Sequence, residues 1–222
     1  MNKKNDFKVM SLGALAMDIV LEASSLPQED GFGLITNEKS VPGGSAANVS
    51  VALTKIGAKV WQVGKIGDDD HGKIFRADLM KQGIQTEFLL EKPQGVTLHT
   101  YIITTPQGEH CIFANKGDCV LDLKASELPI NCMEGMDCFY NDLFSDNAAL
   151  WLAEEAVKKS VPVVYNMQCA PSFMKICGVE GDKIEKMLSM ADMIIGGGKS
   201  FEELCGKKAG DEIAKILYDR YK

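Results

Sequence analysis

The stretch VPGGSAANVSVALTKIGAKVWQVGKIGDDDHG, residues 41–72, decides the fold. Gly43 and Gly44 stand directly before a predicted helix that begins with Ser45 as N-cap and ends at Gly57. Glycines at this place let the backbone approach a ligand where a Cβ would block it. The free amides of the helix start then face ligand oxygens. The pattern is typical of a binding loop, and a tight turn without a ligand is the alternative.

Two polar side chains near this loop indicate what kind of ligand it would bind. Asn48, one turn into the helix, offers both a donor and an acceptor. Asp18 follows the first predicted strand, residues 9–12, and its carboxylate can accept hydrogen bonds from hydroxyls. These residue types suit a polyhydroxylated ligand better than a flat apolar one.

Strand-like and helix-like segments alternate through the rest of the chain. We predict strands at 59–66, 138–140, 161–167 and 193–195, and helices at 73–82, 147–159, 182–190, 200–204 and 211–221. From residue 137 onward this rhythm predicts a mainly parallel central sheet flanked by helices. Because no strand follows the last predicted helix, we expect an incomplete sheet at the C-terminus, whose open edge favours aggregation or dimerisation.

A second, smaller sheet is predicted beside this central one. Residues 19–21 and 32–36 are short β-like pieces without a helix between them, and residues 96–105 and 109–114 flank a turn. Their arrangement predicts a small β-sheet that projects from the main body.

Composition excludes several classes of protein. The chain has 222 residues, 45% of them hydrophobic, and a formal charge of −7, so it repels nucleic-acid phosphates. The seven cysteines are odd in number and form no C-x-x-C pair, which favours free thiols in a reducing compartment. The N-terminal sequence does not have the pattern of a signal peptide, which would indicate secretion. No apolar run is long enough to indicate membrane insertion. We therefore expect a cytoplasmic protein.

Residues 41–72 resemble the N-terminal signature of the PfkB (ribokinase-like) carbohydrate kinase family. The matching residues are Gly43, Gly44, Ala47, Asn48, Ala52, Leu53, Gly57, Gly64, Gly67, Asp68 and Gly72, with Gly13, Ala14 and Asp18 before them. The resemblance extends over essentially the whole chain. It implies one ribokinase-like α/β domain over 1–222, truncated at the C-terminus, with a β lid from about 18–40 and 96–114.

The resemblance also implies a function. Family members use ATP and Mg2+ to phosphorylate a hydroxyl of a sugar or nucleoside, and relatives often dimerise through the lid. Asp18, Gly43, Gly44 and Asn48 are expected to contact the sugar. His99 lies on a strand that faces the substrate in relatives, and a satisfied core or surface histidine is the alternative interpretation. The aspartates of GDDDHG, residues 67–72, are expected to cap the next helix.

The family's catalytic loop is not found in this sequence. The family places the base in a G-A-G-D loop, and the partial match Ala209-Gly210-Asp211 comes too early in the chain. We interpret Asp211 as a carboxylate of a helix first turn. No residue is therefore assigned a catalytic or a metal-binding role, and the chain alone is expected to be inactive.

A second departure from the family lies in the segment GGGKS. The family usually carries N-x-x-E here, where this chain has Gly197 and Ser200. The spacing is not that of a Walker A motif, which would need glycine at position 193. The segment remains a candidate anion nest, and a flexible loop is the alternative. The candidate phosphate-binding residues are Asn166, Gly197, Gly198 and Lys199.

Two functions follow from these observations. The first is an ATP-dependent sugar kinase of which this chain carries the substrate-binding part. The second is a non-catalytic sugar-binding or pseudokinase relative. A dinucleotide-dependent oxidoreductase is disfavoured because no G-x-G-x-x-G follows the first strand.

Overall fold

The computed structural model describes residues 7–221. The strands are β1 (Lys8–Leu12), β2 (Ala16–Ala23), β3 (Ile35–Gly43), β4 (Lys59–Gly67), β5 (Leu89–Lys92), β6 (His99–Thr104), β7 (His110–Asn115), β8 (Cys138–Asn141), β9 (Val163–Met167) and β10 (Met193–Gly196). The α-helices are α1 (Ser45–Lys55), α2 (Asp70–Lys81), α3 (Asp146–Lys158), α4 (Pro171–Cys177), α5 (Gly181–Met190), α6 (Gly198–Cys205) and α7 (Gly210–Tyr221).

Six strands form the central sheet, in the order β10-β9-β8-β1-β4-β5. Every neighbouring pair in it is parallel, which confirms the predicted fold class. β1 lies near the middle, paired with β4 on one side and β8 on the other. The carboxyl ends of these strands therefore meet at one edge, where open α/β sheets bind their ligands.

Both faces of the central sheet are buried at its middle strands, whereas the edge strand β10 is largely exposed. Successive residues of a strand point to opposite faces, so on β1 Val9 joins one apolar cluster and Met10 the other. The Val9 cluster includes Phe75 of α2, and the Met10 cluster includes Leu152 of α3. Helices thus cover the sheet on both sides and hold its carboxyl edge in place. α1 is only half buried, and its buried residues are Ala46, Ala47 and Ser50.

The remaining four strands form the small sheet, in the order β3-β2-β6-β7. β3 is longer than the predicted strand at 32–36, because its pairing with β2 continues until Gly43 lies opposite Ala16. β3 is an edge strand, where the missing N–H of Pro42 costs no ladder hydrogen bond. β2 pairs with β6 in parallel, and β6 with β7 antiparallel.

Helix starts differ in part from the prediction. Gly44 is the N-cap of α1, and Ser45 is its first helical residue. Asp69 caps α2, as predicted for this turn, by accepting a 2.8 Å hydrogen bond from the Gly72 amide. No helix among residues 7–221 has the length and apolar character needed to span a membrane.

Candidate functional site

A cavity of about 560 Å³ opens where the carboxyl edge of the central sheet meets the small sheet. Asp18 and Thr100 line it from the small sheet, Asn48 from α1, and Asn166 from the end of β9. Its other lining groups are largely apolar, and they include Ile102, Ile112, Phe144 and Phe173. A mostly apolar cavity with a few convergent polar groups is typical of small-molecule sites.

Asp18 is held in place by both strands that flank it. Its Oδ1 accepts a 2.7 Å hydrogen bond from the hydroxyl of Thr100, which lies directly opposite on β6. A Cβ at Gly43, on the other neighbour β3, would overlap the Asp18 carboxylate. The first glycine of the loop therefore makes room for this side chain.

Gly44 is required by backbone geometry. Its φ is +94°, in the region that side-chain-bearing residues rarely adopt, and a Cβ here would overlap the carbonyl of Ala14. The loop between β1 and β2 consequently packs directly against the start of α1. Both glycines thus make close contacts within the protein possible.

A buried carboxylate that the sequence analysis did not single out lies below the cavity. Asp142 is fully buried and accepts hydrogen bonds from the amide of Ala14 at 2.8 Å, from the amide of Phe144 at 3.0 Å and from the hydroxyl of Ser45. Burial raises the pKa of Asp142 from its usual 3.8 to about 6, because desolvation outweighs these three donors. All three donor residues line the cavity, so Asp142 fixes its floor.

Asn48 is exposed toward the cavity. Its side-chain amide makes no hydrogen bond to another residue within 7–221, so both its donor and its acceptor are available. Together with the Asp18 carboxylate it presents the combination of groups that binds neighbouring hydroxyls.

The structure does not bring His99 to the cavity. Alternate residues of a strand point to opposite faces, and Leu98 and Thr100 are the ones that line the site. The His99 ring is buried on the other face, 5.0 Å from the ring of His71 and 5.7 Å from that of Tyr101, measured between centroids. Its Nδ1 lies 2.9 Å from the carbonyl oxygen of Thr97, so the interpretation of His99 as a satisfied core histidine fits this placement.

The four candidate phosphate-binding residues separate into two groups. Asn166 lines the cavity, and its side chain donates to Tyr140 Oη at 2.8 Å and to Gln168 Oε1 at 3.2 Å. Burial raises the pKa of Tyr140 to about 12, so this phenol stays protonated. Gly197 and Lys199, which flank Gly198 at the start of α6, are exposed and are not among the cavity lining.

No cluster of three or more His, Cys, Asp or Glu side chains suited to a metal ion occurs within residues 7–221. Asp211 lies in the first turn of α7, as interpreted from the sequence. Neither observation supplies a group that would act on a substrate.

A profile described as "pfkB family carbohydrate kinase" matches residues 6–219. The chain belongs to the pfkB family of carbohydrate kinases.

Several characterised relatives share part of the sequence. An ATP-dependent ribose-1-phosphate kinase of Halopiger xanaduensis is 34% identical over 110 residues, which are 50% of this chain and 37% of that protein. The ribokinase of Bacillus subtilis is 32% identical over 108 residues, 48% of this chain and 36% of that protein. The match thus spans little more than a third of the length of these two relatives.

Solved structures share the fold over nearly the whole chain. A putative ribokinase from Agrobacterium tumefaciens has a TM-score of 0.83 at 20% identity, covering 98% of this chain and 68% of its own. Arabidopsis thaliana ribokinase complexed with ribose and ATP has a TM-score of 0.77 at 18% identity, covering 97% and 68%. These similarities establish the ribokinase-like fold.

Proposed function

We propose that this chain carries the sugar-binding part of an ATP-dependent carbohydrate kinase. The observation that supports it most directly is the Asp18 carboxylate, held by Thr100 beside the unpaired amide of Asn48, in a cavity between the two sheets. Gly43 and Gly44 complete the same site. Family membership supplies the type of reaction.

In the proposed mechanism the residues of this chain bind and orient the sugar. The Asp18 carboxylate accepts hydrogen bonds from one or two hydroxyls, and Asn48 donates to or accepts from the next one. The apolar residues of the small sheet, Ile102 and Ile112, cover the sugar and exclude water. ATP supplies the phosphoryl group, and fixed geometry brings the acceptor hydroxyl toward it.

The phosphate region of the proposed site lies at the ends of β9 and β10. Asn166 lines the cavity, and Ile195 of β10 pairs with it. The GGGKS segment begins at the residue after Ile195. We propose Asn166, Gly197, Gly198 and Lys199 as its phosphate-binding residues. No step is assigned to magnesium, and no residue of this chain is assigned as the base. We accordingly expect sugar binding without phosphoryl transfer from the 222-residue chain alone.

The exposed face of the small sheet is proposed as a dimer contact. Phe113 is 64% exposed and Tyr101 is 42% exposed, on the β6–β7 hairpin. Large exposed apolar side chains that lie close together are typical of interaction surfaces. Sedimentation of the purified chain over a range of concentrations tests this contact. The seven free cysteines suit the reducing environment of the cytoplasm.

The test of the proposed function is sugar-dependent thermal stabilisation. We expect ribose, fructose or a related sugar to raise the Tm of the wild-type chain, since a ligand that binds only the folded state stabilises it. Asp18→Asn is expected to remove the shift, and Glu202→Gln, an exchange of the same kind on α6, to retain it. A chain that melts cooperatively and responds to no sugar or sugar derivative would overturn the proposal.

A further inference from the structure

Lys116 is a cationic group in the cavity that the proposed function leaves unused. It follows directly on β7 and lines the same cavity as Asp18. Its Nζ has one protein partner within residues 7–221, the carbonyl of Cys177, at 3.4 Å. That distance is long for a charged donor, which normally lies below 3 Å from its acceptor. Because Lys116 is exposed, its ammonium is bound mainly by solvent and is free to bind a ligand in the cavity.

The acidic residues closest to Lys116 in sequence are bound to other lysines. Asp118 pairs with Lys92 at 3.1 Å and also accepts a 2.7 Å hydrogen bond from the Val96 amide. That amide and Lys92 lower the pKa of Asp118 to about 2. Asp122 pairs with Lys65 at 3.2 Å. Neither carboxylate is left to neutralise Lys116.

The thiols near Lys116 do not neutralise it either. Cys169 and Cys177 both line the cavity, and burial raises the pKa of each thiol. Both are consequently protonated and neutral at physiological pH. The described part of the chain thus offers Lys116 no anionic partner. An anionic group of a ligand can take this place.

The small sheet sets the spacing between Lys116 and Asp18. Asp18 lies opposite Thr100 on β6, and Thr100 lies opposite Ala114 on β7, so Ala114 is two strands away, about 10 Å. Lys116 is two residues further along, on the same face as Ala114. Both line the cavity. The Asp18 carboxylate, which can accept hydrogen bonds from hydroxyls, and the Lys116 ammonium thus line the same cavity at two separate places.

The backbone around Lys116 is fixed. Asn115 Oδ1 accepts a 3.0 Å hydrogen bond from the Gly117 amide. Gly117 has a φ of +60°, and a Cβ there would overlap the carbonyl of Val96. The long side chain of Lys116 therefore starts from a defined point at the cavity wall.

We infer that the cavity binds a sugar that carries an anionic group, a carboxylate or a phosphate, with its hydroxyls at Asp18 and its anion at Lys116. This inference rests on the proposed function, because it takes the cavity to be the sugar site. Lys116 is an exposed residue, so water solvates its ammonium when the cavity is empty. A neutral sugar that fills the cavity displaces part of this water without offering the ammonium a charge, whereas an anionic sugar gains a charge-assisted hydrogen bond there.

A phosphate group of the nucleotide is the other source of an anion for Lys116. Measurements made without nucleotide separate the two sources. If Lys116 serves the nucleotide alone, its replacement weakens ATP binding and leaves the binding of every sugar unchanged. That result would overturn the inference.

The test compares sugars that differ only in the anionic group. D-fructose and 2-keto-D-gluconate share every stereocentre and differ at C1, and D-ribose and D-ribose 1-phosphate form a second pair. By titration calorimetry of the 222-residue chain without nucleotide, we expect at least one anionic member to bind about tenfold more tightly than its neutral partner. The preference is expected to fall as ionic strength rises.

Variants assign this preference to one side chain. Lys116→Met is expected to abolish the tenfold preference and Lys116→Arg to keep most of it. Lys175→Met, an exposed lysine on α4 outside the cavity lining, is the charge-matched control and is expected to leave it intact. A preference that survives Lys116→Met, or equal affinity of the wild type within both pairs, would refute the inference while leaving the proposed function standing. Failure of all four compounds to bind would count against both.

Discussion

Two glycine-rich loops precede helices at the carboxyl edge of the central sheet, and they behave differently. The first, VPGGS at 41–45, leads into α1, and the second, GGGKS at 196–200, leads into α6. In the first loop a Cβ at Gly43 or Gly44 would overlap neighbouring atoms, whereas at Gly197 nothing lies within 4 Å. The first loop is thus tightly packed at both glycines, whereas the second is packed at Gly196, against Phe201, and open at Gly197.

The difference shows what each glycine contributes. The packed loop is fixed by groups from distant parts of the chain, the Ala14 backbone and the Asp142 carboxylate among them. The open loop has no comparable contact at Gly197. The packed loop has a fixed geometry, which suits the proposed recognition of a sugar. At Gly197 the protein makes no such contacts, so a ligand would have to fix the conformation of the second loop.

The largest effect is expected from Gly44→Ala. The substitution forces a side chain into a positive-φ position and against the carbonyl of Ala14, so we expect the free energy of unfolding to fall by about 4 kcal/mol. Chemical denaturation measures it. Gly197→Ala is the matched control, with an expected loss of only about 0.5 to 1 kcal/mol, because alanine is a poorer N-cap than glycine. Equal losses from the two variants would show that the loops do not differ.

The next largest loss of stability is expected from removal of the Asp142 carboxylate. Asp142→Ala leaves the buried donors of Ala14, Phe144 and Ser45 without their acceptor, and we expect a loss of about 3 kcal/mol. The variant is expected to lose sugar-dependent stabilisation as well, because the three donors line the cavity. A fully stable variant would show that this carboxylate does not hold the floor.

The same residue makes stability depend on pH. Its pKa is raised from 3.8 to about 6, so the folded state binds the proton more tightly than the unfolded state. Its contribution therefore favours folding at low pH and is lost as the pH rises through about 6. Asp142→Asn does not titrate, so the stability of the wild type relative to this variant is expected to fall between pH 4 and 7. Parallel pH profiles for the two proteins would contradict this.

A smaller effect is expected on binding alone. Asp18→Asn keeps the shape of the side chain and the acceptor for Thr100 but removes the charge, so stability is expected to change little. Sugar affinity is expected to fall roughly 30-fold, about 2 kcal/mol, because hydrogen bonds to a carboxylate are stronger than those to an amide. Calorimetric titration of the folded variant measures this sugar affinity. An unchanged affinity would place the sugar elsewhere.

The smallest effect is expected in the open loop. Gly197→Asp adds a side-chain N-cap to α6, which has none, and we expect a gain of about 0.5 to 1 kcal/mol in stability. The new carboxylate would also repel phosphate. A gain in stability with weaker ATP binding would support a phosphate role for GGGKS, whereas unchanged ATP binding would argue against it.

Much of the fold was predictable because it rests on local patterns. The central strands are short apolar runs bounded by turn residues, and this was sufficient for β1, β4 and β9. β5 and α4 were not predicted: β5 has only two consecutive apolar residues, Leu89 and Leu90, and α4 makes only about two helical turns. β5 depends on its pairing with β4, a tertiary contact.

The residues of the candidate site also divide into those that local sequence patterns predicted and those that depend on tertiary contacts. Asp18 and Asn48 lie within or near the motif, and both line the cavity. Asp142 was missed because its partner Ala14 is 128 positions away in the sequence. His99 was placed at the site and Thr100 was not, because a shift of one residue along a strand exchanges the two faces of the sheet. That register is set by the pairing of β6 with β2.

The long-range bonds of Asp142 have a consequence for the newly synthesised protein. The β1–β2 loop and the start of α1 leave the ribosome first, and both depend on a carboxylate that follows 97 to 128 residues later. Contacts over such separations form late in folding. The nascent chain can therefore present the whole glycine loop and still lack the folded floor of the cavity until residue 142 has emerged and β8 has joined β1.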